Sequence, residues 1–178
     1  MKITQEEFLK AEIELLNLTM RNPDFVGLAQ SVANYLKKYN VGSVIDYGCG
    51  TGVYSEVLRQ NGFDIVALDV FKSHRDYCKA NYPDLKVIAR PKPAQTMLFI
   101  EVAEHMTDQE IEDAIDAIRP LQILFSSTPK KTVNDEAWGH INIKSEDEWI
   151  KMWDKLGYSV IEKPNTPTTW ALMLGSRY

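Results

Sequence analysis

The sequence predicts an α/β protein built on a doubly wound, mostly parallel sheet of seven strands, with helices on both faces and a helical extension at the N-terminus. Strand and helix patterns alternate along the chain. One apolar strand runs directly into a glycine-rich turn and then a helix, and no repeat or shift in composition divides the 178 residues. Because this length suits one domain, residues 1–178 are expected to form a single one.

Two helices are expected before the first strand. Thr4 begins a capping-box pattern, and the apolar positions of the first helix continue to Met20. Pro23 breaks that pattern and starts a second helix, which extends to about Lys38. We expect residues 1–40 to cover the cleft of the ligand that the glycine-rich turn binds.

The remaining elements follow from apolar residues that recur with the period of a strand or of a helix. The longest irregular stretch follows the fifth strand, and loops of that length are often lids or binding loops. Strands are expected near residues 43–47, 64–69, 85–89, 96–102, 121–126, 157–162 and 169–174, and helices near 53–61, 73–81, 108–118 and 145–156.

The turn after the first strand carries the most information about a ligand. An apolar run ends on Asp46, and glycines follow at positions 48, 50 and 52. A dinucleotide fingerprint keeps two residues before its last glycine, and a carboxylate at position 46 would repel a pyrophosphate but hold a cationic amino group. S-adenosylmethionine carries such a group. The second strand ends on Asp69, which is placed to accept hydrogen bonds from ribose hydroxyls.

These residues resemble those of the class I S-adenosylmethionine-dependent methyltransferases. The resemblance rests on Val44 to Gly52, on Asp69, and on Phe99 to Met106, which is similar to the family's fourth-strand segment ending in Glu-His. It implies a Rossmann-like enzyme with S-adenosylmethionine as cofactor and S-adenosylhomocysteine as product. The cofactor-binding residues that it implies are Asp46, Tyr47, Gly48, Cys49, Gly50, Thr51, Gly52, Asp69, Val70 and Glu101.

Two histidines are the candidate catalytic residues. His105 follows the fourth strand, and His140 lies in the long loop beside Trp138. Imidazole titrates near neutrality, so either ring could accept the proton that an oxygen or nitrogen acceptor loses during methyl transfer. His140 is the first choice for this general base. For each histidine the alternative is a structural role, with His105 paired to Glu104 or His140 anchoring its loop.

Composition and spacing argue against several other functions. His105, His140, Glu104 and Asp108 match no metal-binding spacing, so no metal is expected. The net charge of −5 makes nucleic acid an unlikely partner. The chain has neither a basic N-terminal segment nor an apolar run of about 20 residues, which predicts a cytoplasmic protein without a membrane span. A small-molecule methyl acceptor is therefore expected, and the oligomeric state stays open.

Two alternative functions also remain open. One is a noncatalytic module that binds S-adenosylmethionine or another nucleotide, and the other is a methyltransferase of a protein partner. Arg90 and Lys92, in a proline-interrupted connector, are either solvated or contacts to a substrate phosphate or carboxylate. Cys49 and Cys78 are expected to be reduced thiols, with Cys78 on a helix away from the strand ends.

Overall fold

The computed structural model describes residues 4–128, 138–167 and 170–178. These residues form two compact units, Met1–Pro91 and Lys92–Tyr178. The first unit contains, in chain order, α1 (Gln5–Glu14), α2 (Pro23–Leu36), β1 (Ser43–Tyr47), α3 (Val53–Gln60), β2 (Asp64–Leu68), α4 (Lys72–Asn81) and β3 (Lys86–Ile88). The second contains β4 (Thr96–Ile100), a 3₁₀ helix (Ala103–His105), α5 (Asp108–Ile118), β5 (Gln122–Ser126), α6 (Glu146–Lys155), β6 (Tyr158–Glu162) and β7 (Leu172–Ser176).

The three strands of the first unit are all parallel and lie in the order β3-β2-β1. The central residues of β1 and β2, Ile45 and Val66, are apolar and buried, as is typical of parallel strands that are covered on both faces, whereas Val87 of β3 is half-buried. Tyr47 pairs with Leu68 at the carboxyl ends of β1 and β2. This register places the glycine-rich turn after β1 next to Asp69, which follows β2.

The second unit orders its strands β4-β5-β7-β6. β4 and β5 are parallel, whereas β7 is antiparallel to both of its neighbours. The core beside them is aromatic: Phe125 lies 5.1 Å from Trp149 and 5.0 Å from Trp153 between ring centroids, and all three side chains are fully buried. α6 supplies both tryptophans, so this helix is held to the sheet by apolar packing.

The predicted α/β class is confirmed, with seven mostly parallel strands and alternating helices in the described residues. None of the helices described is both long and apolar enough to cross a membrane. Some predicted boundaries were wrong. The last strand lies at Leu172–Ser176 rather than at 169–174, and residue 169 of that prediction lies outside the described residues.

The first helix also ends earlier than predicted, at Glu14 instead of Met20. Asn17 adopts a left-handed φ of 51°, which a continuing helix cannot accommodate. Its carbonyl accepts hydrogen bonds from the Thr19 amide and the Asn22 side chain. Leu15, one of the apolar positions of the predicted helix, directly follows α1 and is 75% exposed.

Gly52 provides a test of how tightly the glycine-rich turn is packed. It has a φ of 78°, and an added Cβ would lie 2.8 Å from the Cys78 sulfur and 3.2 Å from the Tyr82 ring. Gly52→Ala should therefore lower the free energy of unfolding by roughly 1–3 kcal/mol. Gly27→Ala is the matched control, because Gly27 lies in α2 and its added Cβ would meet nothing within 4 Å. The control should gain about 0.4–1 kcal/mol. Urea unfolding measures both, and similar values for the two variants would contradict this packing.

Candidate active site

The glycine-rich turn, residues 48–52, connects β1 to α3 and takes much of its shape from backbone interactions. Its first two amides donate hydrogen bonds to the Leu68 carbonyl at 2.8 and 2.9 Å. The three glycines have φ values of 71°, 53° and 78°, a region that other residues rarely adopt. The path of the turn therefore requires glycine at these three positions. Because glycine has no side chain, the backbone of the turn is unobstructed there.

Asp69 ties this turn to the end of β2. One carboxylate oxygen accepts a hydrogen bond from the Gly50 amide at 3.0 Å, and the other accepts from the Phe71 amide at 2.8 Å. The residue is only 6% exposed. Burial raises the pKa of Asp69, while the His74 charge and the two backbone donors oppose that shift. Its predicted contact with a ribose stays a prediction; each oxygen retains a lone pair for such a contact.

Asp46 places a second buried carboxyl in the same unit. It is 4% exposed, and the Ser55 hydroxyl donates to it at 2.6 Å. Burial raises the pKa of Asp46 to about 6, opposed by the Ser55 hydrogen bond and assisted by the Asp69 charge. In the described parts of the chain no cationic side chain pairs with this carboxyl. A positively charged ligand group would compensate a carboxylate buried in this way.

Glu12 of α1 also lies at the turn, which sequence patterns did not predict. A Cβ on Gly50 would be 3.1 Å from one Glu12 carboxylate oxygen, and the other oxygen is 2.8 Å from Nε2 of buried His74. The one available signal is its position four residues after Phe8, on the same face of α1. Phe8 packs against Phe71 with ring centroids 6.1 Å apart, so α1 is fastened beside the turn.

The remaining predicted cofactor residues of this unit surround the turn. Cys49 and Thr51 are buried, Tyr47 is half-buried, and Val70 is 65% exposed. The expectation for Cys78 was wrong: α4 carries it against the turn, where its sulfur lies 3.4 Å from the Gly50 carbonyl oxygen. The hydrogen bond with Cys78, followed by burial, raises the pKa of the Cys49 thiol. The raised pKa disfavours the thiolate, so Cys49 is not poised as a nucleophile.

The second unit contains the other predicted site residues, beginning with Glu101 at the end of β4. Glu101 has a left-handed φ of 53°, unusual for this residue type. Although the residue as a whole is exposed, its carboxylate accepts a hydrogen bond from the fully buried Ser126 hydroxyl at 2.8 Å. Burial of this carboxyl and the Glu104 charge raise the pKa of Glu101 to about 7. Its cofactor-binding role stays a prediction.

The two candidate catalytic histidines lie together in this unit. The ring centroids of His105 and His140 are 4.7 Å apart, at an angle of 74°. The amides of Ile141 and Asn142 donate to the Glu104 carbonyl at 2.8 and 3.0 Å, which holds the His140 segment against the 3₁₀ helix. Burial lowers the pKa of His105, opposed by the Glu104 charge.

Glu104 is the functional candidate whose importance the sequence understated. It is 1% exposed, and its carboxylate accepts hydrogen bonds from the hydroxyls of Ser127 at 2.9 Å and Thr128 at 3.2 Å. One of its oxygens and one nitrogen from each of His105 and His140 all lie within 4.8 Å of one another. The fold therefore groups a buried acid with two imidazoles that come from two separate segments of the chain.

The predicted residues thus fall into two groups, one in each unit: residues 46–52 with 69–70, and Glu101 with His105 and His140. Arg90 and Lys92 are exposed, as expected of solvated charges, and their alternative role as substrate contacts stays untested. The part of the long loop at residues 129–137 lies outside the described residues.

The alternating strands and helices, with a glycine-rich turn flanked by two buried acids, define a class I methyltransferase-type protein. Residues 20–163 match a family model described as a methyltransferase domain, and the chain belongs to that family. The predicted methyltransferase family is confirmed by this match, and with it the prediction of an enzyme.

Part of this chain is similar in sequence to curated methyltransferases. The ubiquinone biosynthesis O-methyltransferase of Rickettsia prowazekii (strain Madrid E) is 26% identical over 135 residues, 68% of this chain and 53% of the relative. The protein of the same name from Methylobacterium sp. (strain 4-46) is 26% identical over 139 residues, 70% of this chain and 54% of the relative. The chain therefore spans about half the length of these curated relatives.

Solved structures show the same fold. Magnesium protoporphyrin IX methyltransferase from Synechocystis PCC 6803, crystallised with bound SAH, aligns with a TM-score of 0.67 and 17% identity over 86% of this chain and 84% of its own. DesVI of Streptomyces venezuelae aligns with a TM-score of 0.68 and 14% identity, covering 95% of this chain and 98% of its own. At these identities the likeness supports the doubly wound fold alone.

The buried Asp46 carboxyl predicts a particular dependence of stability on pH. Because its folded-state pKa of about 6 exceeds the ordinary value of 3.8, the folded protein binds this proton more tightly than the unfolded chain. The free energy of unfolding should then fall as the pH rises from about 4 to about 6. Asp46→Asn removes that loss and retains an acceptor for Ser55, so it should be more stable at pH 7 by roughly 1–3 kcal/mol.

Urea unfolding across this pH range measures the difference. Asp64→Asn is the matched control, because Asp64 is an exposed carboxyl on the neighbouring strand β2 and its loss should change little. Lower stability of the Asp46 variant at pH 7 would show that its carboxylate is compensated by groups other than Ser55.

Proposed function

We propose that this methyltransferase transfers the methyl group of S-adenosylmethionine to a hydroxyl oxygen of a small-molecule acceptor, with His140 or His105 as general base. S-adenosylmethionine supplies an electrophilic methyl group on a good leaving group, so the protein has to align the reactants, exclude water and accept a proton. The observation that carries the proposal is the grouping of His105 and His140 beside buried Glu104.

The first unit offers the groups that would hold the cofactor. The buried Asp46 carboxylate would receive its amino group, and Asp69 its ribose hydroxyls. The unobstructed backbone of the glycine-rich turn permits close approach of the ligand. Val70, 65% exposed directly after Asp69, would cover an adenine face.

The second unit offers the base. Because burial lowers the pKa of His105, its imidazole is neutral near pH 7 and has a lone pair for the acceptor's proton. The Glu104 carboxylate beside it would stabilise the imidazolium that forms. His140 shares this environment through its ring contact with His105, and its position on the loop after β5 keeps it the first choice.

The relatives favour oxygen over nitrogen as the accepting atom. Both curated relatives are named as O-methyltransferases. Their acceptor is not transferred to this chain, since the shared region is about half of each relative and only 26% identical. A screen of small hydroxylated compounds, in which the release of S-adenosylhomocysteine is measured for each compound, would identify the acceptor.

Cofactor binding can be measured without an acceptor. We expect calorimetric titration to show saturable binding of S-adenosylmethionine and S-adenosylhomocysteine but not of NAD. Asp69→Asn should weaken both interactions roughly tenfold or more, since it removes a charge and one acceptor for the ribose. Asp64→Asn, the exposed change on β2, should bind normally. Tight binding of NAD, or full affinity in the Asp69 variant, would contradict the assigned cofactor site.

The base is tested by His140→Ala once an acceptor is known. Turnover should fall about 10²–10⁴-fold, and affinity for S-adenosylmethionine should stay within about twofold, because a positioned base contributes mainly to the chemical step. The pH profile of kcat separates a base from a loop anchor: the variant should lose the rise of kcat with pH that the wild type shows. Glu112→Ala, on the exposed face of α5, should retain the wild-type profile. An unchanged turnover rate in the His140 variant would contradict His140 as the general base and leave His105 as the candidate.

A further inference from the structure

We propose that Glu12 of α1 contacts the bound cofactor and accepts a hydrogen bond from one of its two ribose hydroxyls. This contact deepens the proposed function and rests on it, since it takes S-adenosylmethionine as the cofactor. Glu12 precedes the region, residues 20–163, that matches the family model. The contact would therefore come from this chain's N-terminal helix and not from the matched domain.

The Glu12 carboxylate lies directly beside the glycine-rich turn. A Cβ on Gly50 would be 3.1 Å from Oε1 of Glu12 and 3.8 Å from Oε2. The carboxylate thus faces the place that a side chain at residue 50 would take. The Gly50 amide also donates to Asp69 at 3.0 Å, so two acids flank the same residue of the turn. Two carboxylates in this position can accept two hydroxyl hydrogens from one ligand.

The two oxygens of the Glu12 carboxylate differ in their partners. Nε2 of His74 donates to Oε2 at 2.8 Å, because an ionised carboxylate has no hydrogen to give. In the parts of the chain that the structure describes, no donor reaches Oε1. The side chain is 12% exposed, which leaves it accessible to a ligand at the turn. A carboxylate oxygen buried to this extent is stabilised by a donor, and a ligand hydroxyl would supply one.

Several contacts fix the position of Glu12 before any ligand binds. Its partner His74 is 1% exposed and packs against Phe71, with ring centroids 5.4 Å apart. At the start of α1, the side-chain oxygen of Gln5 accepts the Lys72 amide at 2.9 Å. Both anchors belong to the segment that follows β2. A carboxylate held in this way loses little conformational freedom when it binds a ligand.

The ribose is the part of the cofactor that suits Glu12 best. Asp69 is the acid predicted to hold the ribose, and its two oxygens already accept the amides of Gly50 and Phe71. A ribose presents two neighbouring hydroxyl donors, so a second acceptor beside Asp69 would serve the second hydroxyl. Glu12 provides that acceptor at the same glycine. The cofactor's amino group has a separate buried carboxyl, that of Asp46, to compensate its charge.

The test is calorimetric titration with S-adenosylhomocysteine and with its 2′-deoxy and 3′-deoxy analogues. Glu12→Gln keeps the size of the side chain but removes its charge, and it should weaken binding of S-adenosylhomocysteine roughly tenfold. The wild type should lose a similar factor with the analogue that lacks the contacted hydroxyl. In the variant, removal of that hydroxyl should cost less than about threefold, because the two changes act on one contact. The other analogue should lose the same factor in both proteins.

Glu14→Gln is the matched control, because it makes the same change on the same helix at a side chain that is 59% exposed. It should bind all three compounds as the wild type does. Circular dichroism establishes that each variant is folded. If the amide at residue 12 prevents folding, Glu12→Asp gives the same comparison, since it withdraws the carboxylate by one methylene group.

A Glu12 that only holds α1 in place through His74 predicts a different pattern. The variant would then weaken binding of all three compounds by the same factor, and that result would overturn the contact. Wild-type affinity for S-adenosylhomocysteine in the Glu12 variant would overturn it as well. Either result, with normal binding by the wild type, leaves the proposed function intact. Absence of S-adenosylhomocysteine binding by the wild type would instead overturn the cofactor assignment and the contact together.

Discussion

The pairing of the Asp69 carboxylate with the amides of Gly50 and Phe71 is the interaction on which the first unit depends. It connects the end of β2 to the turn that follows β1, at 3.0 and 2.8 Å. Both carboxylate oxygens are used, and the residue is nearly inaccessible to solvent. The acid that is predicted to hold a ribose therefore also shapes the backbone that would receive the rest of the cofactor.

Several ionisable side chains are buried around the glycine-rich turn. Asp46, Asp69 and Glu12 are all buried near the turn, and His74 pairs with Glu12 at 2.8 Å. Burying carboxylates costs free energy unless a partner compensates them. Burial accordingly raises the pKa values of Asp46 and Asp69. A cationic cofactor at this turn would offset that cost.

In the second unit, Glu104 connects separate segments of the chain, as Asp69 does in the first. Its carbonyl holds the segment after His140, and its side chain lies between Ser127 and Thr128. One residue thus connects the end of β4, the loop after β5 and the segment before α6. This connection explains why two histidines from distant segments become neighbours.

The sequence by itself determined the α/β class, most strand positions, the glycine-rich turn and the family. These features depend on local apolar periodicity, on the conformational freedom of glycine and on the order of Asp46 and Asp69 along the chain. It failed at the end of α1, because the left-handed conformation of Asn17 has no strong local signal. Only the tertiary structure placed Glu12 and Cys78 at the turn and grouped Glu104 with His105 and His140. The contacts of Glu12 and Cys78 with the turn, and of His140 with Glu104, join residues far apart in sequence. The paths of the intervening loops, which periodicity does not encode, decide whether they meet.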